Sequence, residues 1–499
     1  MNTRKIILGT IVTMFCATAT AQTDALQRST PEEQGLRSEP IAAFLDSMMH
    51  LPYSEMHSIM ILRHGRVVAE TYPKPFSPAF RHTLYSCSKT FTAAAVGLAV
   101  DDNRLRVTDR LATFFTELLP DSVSPQLADI NVRHLLTMAS GIEPDWQLRS
   151  LTDNWTKGML AKPAAEPGRQ FKYDSMCTYL LSAIVQKATG KTLLQLLNER
   201  IFSHLGIDKA EWEVSPEGCD TGGWGLALRS EDLAKFGQLL LQRGQWKGRR
   251  LLSEQWVDDM MGMQMKNDAL GYGYQMWLCE RPKAARADGA YGQLIYVVPD
   301  ADMVVVVTQC STADFGRQRR LLWDTIDKAL ADTRLKPGRW SKRLAAQAAQ
   351  YALPTAEGKA ASKAMAQFDG RTLHLDENPI GWQKISFAHA KGRLTLTITN
   401  TDGETADIEC ANRQWATNAT TAHPYYSINP HGRFKGISAP FHVAASYGWG
   451  KHGELNIKLK YVDWITPIDL TINNGGGTAT VSARKYNEHD TDTFSAHWE

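Results

Sequence analysis

The spacing of apolar and polar residues predicts helices over much of the first two thirds of the chain. Apolar residues there recur every three or four positions, which is the spacing of one helix face. Several of these segments begin with Ser or Thr and end just before Gly, as helices commonly do. The predicted helices are 39–49, 131–138, 175–188, 192–205, 230–243, 253–261 and 317–330.

Segments typical of strands lie at both ends of this helical region. A hairpin is predicted for 56–63 and 66–72, around His64-Gly65, and three more strands for 272–278, 293–298 and 303–308. Strands at both ends with helices between them predict one antiparallel sheet joined by a largely helical insert. A long loop, 143–170, contains two tryptophans and three prolines, and its length suggests that it walls a site.

The pattern changes again after residue 369, where short alternating segments are separated by turns such as Asp402-Gly403. This pattern predicts a small all-β domain, either a sandwich or a barrel. Lys336-Pro-Gly and the alanine-rich segment 343–363 mark a shift in composition that is typical of a linker. We therefore predict an α+β domain at 22–332, a linker at 333–365 and an all-β domain at 366–499 that is separable from the first.

The first 21 residues have the features of a signal peptide: Arg4 and Lys5, an apolar stretch, and Ala19-Thr-Ala21 as a cleavage site. Export to the periplasm or outside the cell is therefore expected. The whole chain has 55 basic and 53 acidic residues, and cleavage would remove Arg4 and Lys5. The mature protein would then have equal numbers of basic and acidic side chains. A neutral protein offers no electrostatic reason to bind nucleic acid. No later stretch is long and apolar enough for stable membrane insertion once the signal is removed.

The cysteines and histidines do not form a metal-binding pattern. Six cysteines remain after removal of the signal peptide, and they are scattered without short paired spacings. Buried free thiols are the favoured interpretation, although export leaves one or two disulfides open. The 14 histidines contain no His-Glu-x-x-His sequence. We therefore predict neither a metal nor a cofactor.

Candidate chemistry is concentrated around Ser86 and Lys89, at the start of an apolar helix that runs to about residue 100. Residues three apart lie on the same helix face, so the two side chains should meet. A serine hydroxyl needs a base to become a nucleophile, and a buried lysine can supply one because burial disfavours its charged form. Ser482 and Lys485 share this spacing, but they lie in a predicted strand, where residues three apart point to opposite faces.

Two further segments could complete such a site. Tyr173 stands at the start of a helix, and a nearby ammonium would favour its phenolate, which could act as base and then as acid. The glycine-rich segment 287–293 leads into a strand, where free backbone N–H groups could bind an oxyanion. Taken singly, a half-buried tyrosine and an ordinary turn are the more common interpretations of these segments.

In this order, the three segments resemble the superfamily of serine β-lactamases and penicillin-binding proteins, which includes class C β-lactamases, D-alanyl-D-alanine carboxypeptidases, esterases and 6-aminohexanoate-dimer hydrolases. The resemblance covers roughly residues 30–332 and includes the segments 134–141 and 223–233. It implies a β-lactamase-like fold, Ser86 as nucleophile, and Lys89 with Tyr173 as acid–base pair. It also implies an oxyanion hole from the N–H groups of Ser86 and Ala290, and substrate contacts from the residues Ser175, Asp288 and Gly289.

The chain departs from the family pattern at two positions. Ser175 replaces the usual asparagine, and Ala287 stands where lysine or histidine would bind a substrate carboxylate. Arg149 and Arg286 could take over that role. These departures favour an exported hydrolase of esters or amides with a small-molecule or peptide substrate over a β-lactamase. The alternative is a catalytically idle fold that binds peptide or glycan.

Overall fold

A six-stranded antiparallel sheet forms the centre of the first part of the protein. The computed structural model describes residues 25–151, 153–425, 435–485 and 490–499, so the predicted signal peptide lies outside the described residues. The strand order is β2-β1-β11-β10-β9-β8, and three short strands, β3-β5-β4, form a second sheet. The strands of this part are β1 Ser54–Arg63, β2 Arg66–Thr71, β3 His82–Thr83, β4 Glu211–Trp212, β5 Leu226–Leu228, β6 Gln245–Trp246, β7 Arg249–Arg250, β8 Trp277–Leu278, β9 Ala285–Gly289, β10 Gln293–Val298 and β11 Met303–Ser311.

Most of the helices lie between β2 and β8 in the chain, as the predicted helical insert requires. Within the described ranges, no helix is long and apolar enough to cross a membrane. The helices are α1 Ser38–Met49, α2 Ser88–Asp101, α3 Leu111–Phe114, α4 Pro125–Asp129, α5 Val132–Leu136, α6 Trp155–Leu160, α7 Ser175–Thr189, α8 Leu193–Leu197, α9 Ser203–Leu205, α10 Ser230–Leu241, α11 Glu254–Met261, α12 Phe315–Ala329 and α13 Arg339–Gln350.

The central sheet has an apolar core on each face. Alternate side chains of a strand point to opposite faces, so Ile59 and Ile61 of β1 enter one core while Met60 and Leu62 enter the other. The first core is covered by α1, α12 and α13, and the second by α2 and α10 with the rest of the helical insert. Two of the predicted elements differ: the strand predicted at 272–278 is reduced to β8, and the helix predicted at 192–205 is divided into α8, a π-turn and α9.

The segment predicted as a linker, 333–365, contains the helix α13. Leu344 is buried in the core beside α1, and Ala348 and Tyr351 pack against the same core. These three residues share one face at spacings of four and three. Alanine is also the strongest helix former, so the composition that indicates a linker equally favours a helix with one apolar face.

The C-terminal domain is a closed antiparallel barrel. In the described residues, each strand pairs with a neighbour, and β15 closes the barrel by pairing in parallel with β17 at Ala411–Ser446 and Asn412–Tyr447. Of the two architectures predicted for this domain, the barrel is therefore the one observed, and the α+β fold class is confirmed. Its strands are β12 Thr372–Leu375, β13 Trp382–Ala390, β14 Arg393–Asn400, β15 Thr405–Asn412, β16 Ala416–Thr420, β17 Phe441–Trp449, β18 Leu455–Tyr461, β19 Pro467–Asn474, β20 Thr478–Lys485 and β21 Asp492–Trp498.

The barrel packs directly on the first part of the chain, which contains the central sheet. Lys460 of β18 forms a buried ion pair with Glu55 of β1, with 2.7 Å between Nζ and Oε2. The segment before β17 binds the small sheet, because the Val214 N–H donates to the Lys435 carbonyl at 2.8 Å and the Ser438 N–H donates to Glu211 at 3.1 Å. This interface lies beside β3, which leads directly to Ser86.

Candidate active site

Ser86 lies in a short 3-10 turn, Tyr85–Cys87, immediately before α2. Helix α2 is apolar on nearly all sides and is buried over its first twelve residues, so it forms a rigid support at the centre of the core. Ser86 is partly exposed at the floor of a cavity, and Lys89, one helical turn further on, is fully buried below it. The sequence spacing therefore brings the two side chains together as predicted.

Lys89 has three hydrogen-bond acceptors around its amino group. Its Nζ lies 2.9 Å from Ser86 Oγ, 2.8 Å from Ser175 Oγ and 2.7 Å from the Gly223 carbonyl oxygen. Burial lowers the pKa of Lys89 to about 7, because desolvation disfavours the ammonium form. A substantial fraction of the lysine is therefore uncharged near neutral pH and can accept a proton from Ser86.

Tyr173 lies on the other side of Ser86, in the loop before α7. It lines the same cavity as Ser86, and Lys89 Nζ lies 4.8 Å from the centre of its ring. Burial raises the pKa of Tyr173 well above its usual range. The expectation of a phenolate favoured by the lysine is therefore wrong, because desolvation raises the pKa of Tyr173 and the nearby Asp288 and Asp174 raise it further. Tyr173 is a neutral hydroxyl that can donate a proton, and Lys89 is the group suited to accept one.

The end of β9 lies against the turn that carries Ser86. A Cβ atom on Gly289 would collide with the Leu84 carbonyl oxygen and lie 3.2 Å from the Cys87 nitrogen, so only glycine permits this close approach. The next residue is Ala290. Among the described residues, neither the Ser86 N–H nor the Ala290 N–H has a hydrogen-bond acceptor. The two groups are therefore available to bind a negatively charged oxygen.

A cavity of about 580 Å³ opens above Ser86. Six of the seven residues predicted for the site line it, and Lys89 lies below its floor. Aromatic side chains and two arginines form the rest of the wall, so the cavity is largely apolar with a few polar groups near Ser86. The lining residues are Tyr85, Ser86, Trp146, Arg149, Tyr173, Ser175, Trp224, Trp277, Arg286, Asp288, Gly289 and Ala290.

The polar part of the wall includes Arg149 and Arg286, the two arginines that the sequence offered in place of the missing family cation. Ala287 is buried in the apolar core and is not among the residues that line the cavity. Asp288 pairs with Arg286 at 2.9 Å, which compensates both charges. Arg149 lies 4.4 Å from the ring of Trp146 and 5.2 Å from that of Trp224. The cavity therefore contains cations from other parts of the fold.

Sequence reasoning did not identify the three tryptophans of the wall as site residues. Trp146 belongs to the loop 143–170, whose length suggested a wall, and Trp224 follows Gly223 in a segment that resembles the family. Nothing in the sequence marks Trp277 as a site residue beyond its place in a predicted strand. In the structure its ring stacks on that of Tyr173, with 5.5 Å between the ring centres. In the described ranges, no cluster of three His, Cys, Asp or Glu side chains is placed to hold a metal ion.

Comparisons with known proteins agree with this geometry. The chain is 24% identical to a 6-aminohexanoate-dimer hydrolase of Paenarthrobacter ureafaciens, over 58% of this chain and 81% of the relative. It is 27% identical to a D-aminopeptidase of Brucella anthropi over 30% of each chain. A structure assigned to a 6-aminohexanoate-dimer hydrolase of Bacillus anthracis shares the fold, with a TM-score of 0.51 and 22% identity over 60% of this chain and 85% of that one.

The model of the family called Beta-lactamase matches residues 56–331, which is more than half of the chain and includes every residue of the candidate site. The match extends from β1 to the residues just after α12, so it covers the central sheet and the helical insert but not the barrel. The protein belongs to the Beta-lactamase family, within the superfamily of serine β-lactamases and penicillin-binding proteins.

Proposed function

We propose that the protein is a serine hydrolase that cleaves ester or amide bonds through an acyl-enzyme on Ser86. The observation that carries this proposal is the 2.9 Å contact between Ser86 Oγ and the Nζ of Lys89, a buried lysine whose pKa is lowered to about 7. A nucleophile with its own base at hydrogen-bond distance is the arrangement that covalent catalysis requires.

In the acylation step, uncharged Lys89 accepts the proton of the Ser86 hydroxyl while Oγ forms a bond to the substrate carbonyl carbon. The negative charge moves to the carbonyl oxygen, where the N–H groups of Ser86 and Ala290 stabilise it. The bond to the leaving group then breaks, and Tyr173 donates its proton to that group. The phenolate takes a proton from the Lys89 ammonium, which restores both residues to their starting state.

Deacylation repeats these transfers with water as the nucleophile. A water molecule loses a proton to Lys89 as it attacks the acyl carbon, and the same two N–H groups stabilise the oxyanion. The bond between the acyl carbon and Ser86 Oγ then breaks, and Oγ takes the proton from the Lys89 ammonium, which regenerates the hydroxyl and the uncharged lysine and releases the acid. In both half-reactions the Ser175 hydroxyl, 2.8 Å from Lys89 Nζ, helps to hold the lysine in position.

The wall of the cavity supports a substrate with an apolar body. Trp146, Trp224 and Trp277 offer flat apolar surfaces, while Asp288 and Gly289 lie at the edge nearest Ala290. Similar proteins are named as a 6-aminohexanoate-dimer hydrolase and a D-aminopeptidase. We therefore propose small amides, short peptides or esters as substrates, to be compared as 6-aminohexanoate dimer, D-alanine p-nitroanilide, p-nitrophenyl butyrate and nitrocefin.

The test of the proposal is covalent labelling with a fluorophosphonate probe. The wild-type protein should label once, and Ser86→Ala should abolish both labelling and turnover, because its hydroxyl is the one held by Lys89. Ser482→Ala is the matched control, since Ser482 lies in β20 and its hydroxyl is hydrogen-bonded to that of Thr493 at 3.2 Å. Labelling that persists in Ser86→Ala contradicts the proposal.

The same experiment separates the alternative, a catalytically idle fold that binds peptide or glycan. An idle protein would neither label nor turn over any of these compounds. The intact contacts among Ser86, Lys89 and Tyr173 favour the enzyme. The barrel core is filled by its own side chains, including Phe387, Tyr447 and Trp449.

We also propose that the protein is exported to the periplasm or secreted, on the basis of the basic and apolar character of residues 1–21. Sequencing the N-terminus of the mature protein recovered from outside the cytoplasm tests this. A mature chain that begins near Gln22 is expected, and a cytoplasmic protein that still begins at Met1 contradicts the proposal.

A further inference from the structure

A loop of the barrel is buried against the domain that contains the central sheet and Ser86. Residues 462–466 connect β18 to β19, and none of the five residues is more than 5% exposed. Loops between strands normally lie on the surface, because their backbone polar groups need water or other partners. This loop instead enters the protein at the level of the candidate site.

Ile465, in the middle of this loop, is completely buried in a small cluster with Tyr85 and Cys310. Ala290, Tyr291 and the barrel residue Tyr425 pack against the same cluster. Ile465 therefore reaches a group of residues that includes the neighbour of the nucleophile and Ala290 itself. Residues 380 positions apart in the chain meet at this point.

The cluster contains two tyrosines with unusual backbone conformations. Tyr85 has a φ of 47° and Tyr291 a φ of 60°, both in the left-handed region. The backbone of a residue other than glycine is strained in this region, so such conformations persist only where the surrounding structure imposes them. The two rings meet edge to face, with 5.9 Å between their centres. The turn that contains Tyr291 is closed by a hydrogen bond from the Gly292 N–H to the Gly289 carbonyl at 3.0 Å, and the ring contact adds to this bond in holding the two turns together.

Each of these tyrosines adjoins one of the two free N–H groups above the cavity floor. Tyr85 directly precedes Ser86, so its conformation sets the plane of the peptide that carries the Ser86 N–H. Tyr291 directly follows Ala290, and Gly289, just before Ala290, is the residue that lies against the turn carrying Ser86. A shift of either ring would therefore displace a turn that carries one of the two donors.

We infer that Ile465 is a positioning residue for the oxyanion hole, and that the barrel is thereby part of the framework of the active site. This inference rests on the proposed function. Ile465 touches neither substrate nor reacting atoms, and it acts by keeping Tyr85 and Tyr291 in their left-handed conformations. Small displacements of catalytic groups have large effects on rate, because stabilisation of the oxyanion depends strongly on donor direction.

The matched control for Ile465 is Ile472. Both side chains are completely buried in the barrel domain, but Ile472 of β19 lies in the barrel's own core. Ile465→Ala and Ile472→Ala should therefore lower the melting temperature to a similar extent. At a temperature where both variants are folded, we expect fluorophosphonate labelling and kcat/KM for p-nitrophenyl butyrate to fall about tenfold to 10²-fold in Ile465→Ala. Ile472→Ala should stay within about twofold of the wild type.

The corresponding valine variants provide a graded test. Ile465→Val should lie between the wild type and Ile465→Ala in labelling rate, whereas Ile472→Val should be unchanged. If the alanine variant does not fold, the two valine variants decide the question. Equal rates for the Ile465 and Ile472 variants overturn the inference while leaving the proposed function intact. A wild-type protein that neither labels nor turns over any ester contradicts the proposed function, and the inference with it.

Discussion

At the scale of single residues, burial decides the chemistry of Lys89 and Tyr173. The lysine is surrounded by α2, α7 and the Gly223 carbonyl, and desolvation lowers its pKa to about 7. The same environment raises the pKa of Tyr173, because the phenolate is also a charged form. The pair is therefore divided into a base and an acid by one physical effect that acts in opposite directions on a cation and an anion.

This division predicts the pH dependence of labelling at Ser86. Lys89 must be uncharged to accept a proton, so the rate of fluorophosphonate labelling should rise with pH and level off above about 7. Lys89→Met should label slowly and lose this rise, because no other base contacts Ser86 Oγ at comparable distance among the described residues. The measurement is the labelling rate from about pH 5.5 to about pH 8.5. A rate that falls as pH increases over this range would show that the ammonium is the active form.

At the scale of elements, the position of α2 depends on close packing against α11. Trp256 of α11 donates from its Nε1 to the Ala93 carbonyl of α2 at 2.9 Å. Gly97 lies directly under the indole, and a Cβ atom there would be 2.7 Å from Trp256 Cε2 and closer still to Nε1. The helix that carries Lys89 can therefore approach α11 because this position has no side chain.

Gly97→Ala should destabilise the protein by about 1–2 kcal/mol. Alanine gains up to about 1 kcal/mol of helix propensity, but overpacking against a buried indole costs about 1–3 kcal/mol or more. Gly338→Ala is the control. Gly338 precedes α13 with a φ of −140°, and a Cβ atom added there would have no neighbouring atom within 4 Å. Urea unfolding measures both changes. Gly97→Ala with stability at or above that of Gly338→Ala would show that the indole shifts without cost.

At the scale of the whole molecule, the barrel and the hydrolase part share a buried ion pair. Glu55 and Lys460 are 10% and 5% exposed at their side chains. His57 lies 3.4 Å from Glu55, but burial lowers its pKa, so it is neutral at pH 7 and does not replace the lysine. The sequence alone predicts that the barrel is a separable domain. Removing the barrel would, however, leave Glu55 without its lysine and expose the surface that the loop 462–466 covers, so we expect the rest of the chain to lose stability.

Lys460→Met should destabilise the whole protein by about 3–5 kcal/mol, because it leaves the Glu55 carboxylate buried without a counter-charge. The double variant Glu55→Gln with Lys460→Met should recover much of this loss. Lys458→Met is the control, since Lys458 on the same strand is 21% exposed and lies 3.8 Å from Asp469. Thermal unfolding should show one cooperative transition. Similar melting temperatures for Lys460→Met and Lys458→Met would mean that water reaches Glu55.

Local patterns in the sequence determined much of the fold and part of the candidate site. The change from helical to alternating spacing separates the two domains, because each spacing reflects which face of an element is buried. The three-residue interval between Ser86 and Lys89 places both on one helix face whatever surrounds that helix. Tyr173 and Ala290 were identified through the order of segments that resembles the family, which is information of a different kind.

Only the tertiary structure decided the protonation of Tyr173, the wall of the cavity and the part played by the barrel. Desolvation depends on everything packed around a group, so no spacing along the chain indicates that Tyr173 is neutral. Arg149 and Trp277 reach one cavity from distant segments. Ile465 meets Tyr85 across 380 positions of chain, and a contact of that range leaves no period in the sequence, because it is set by how two complete domains pack.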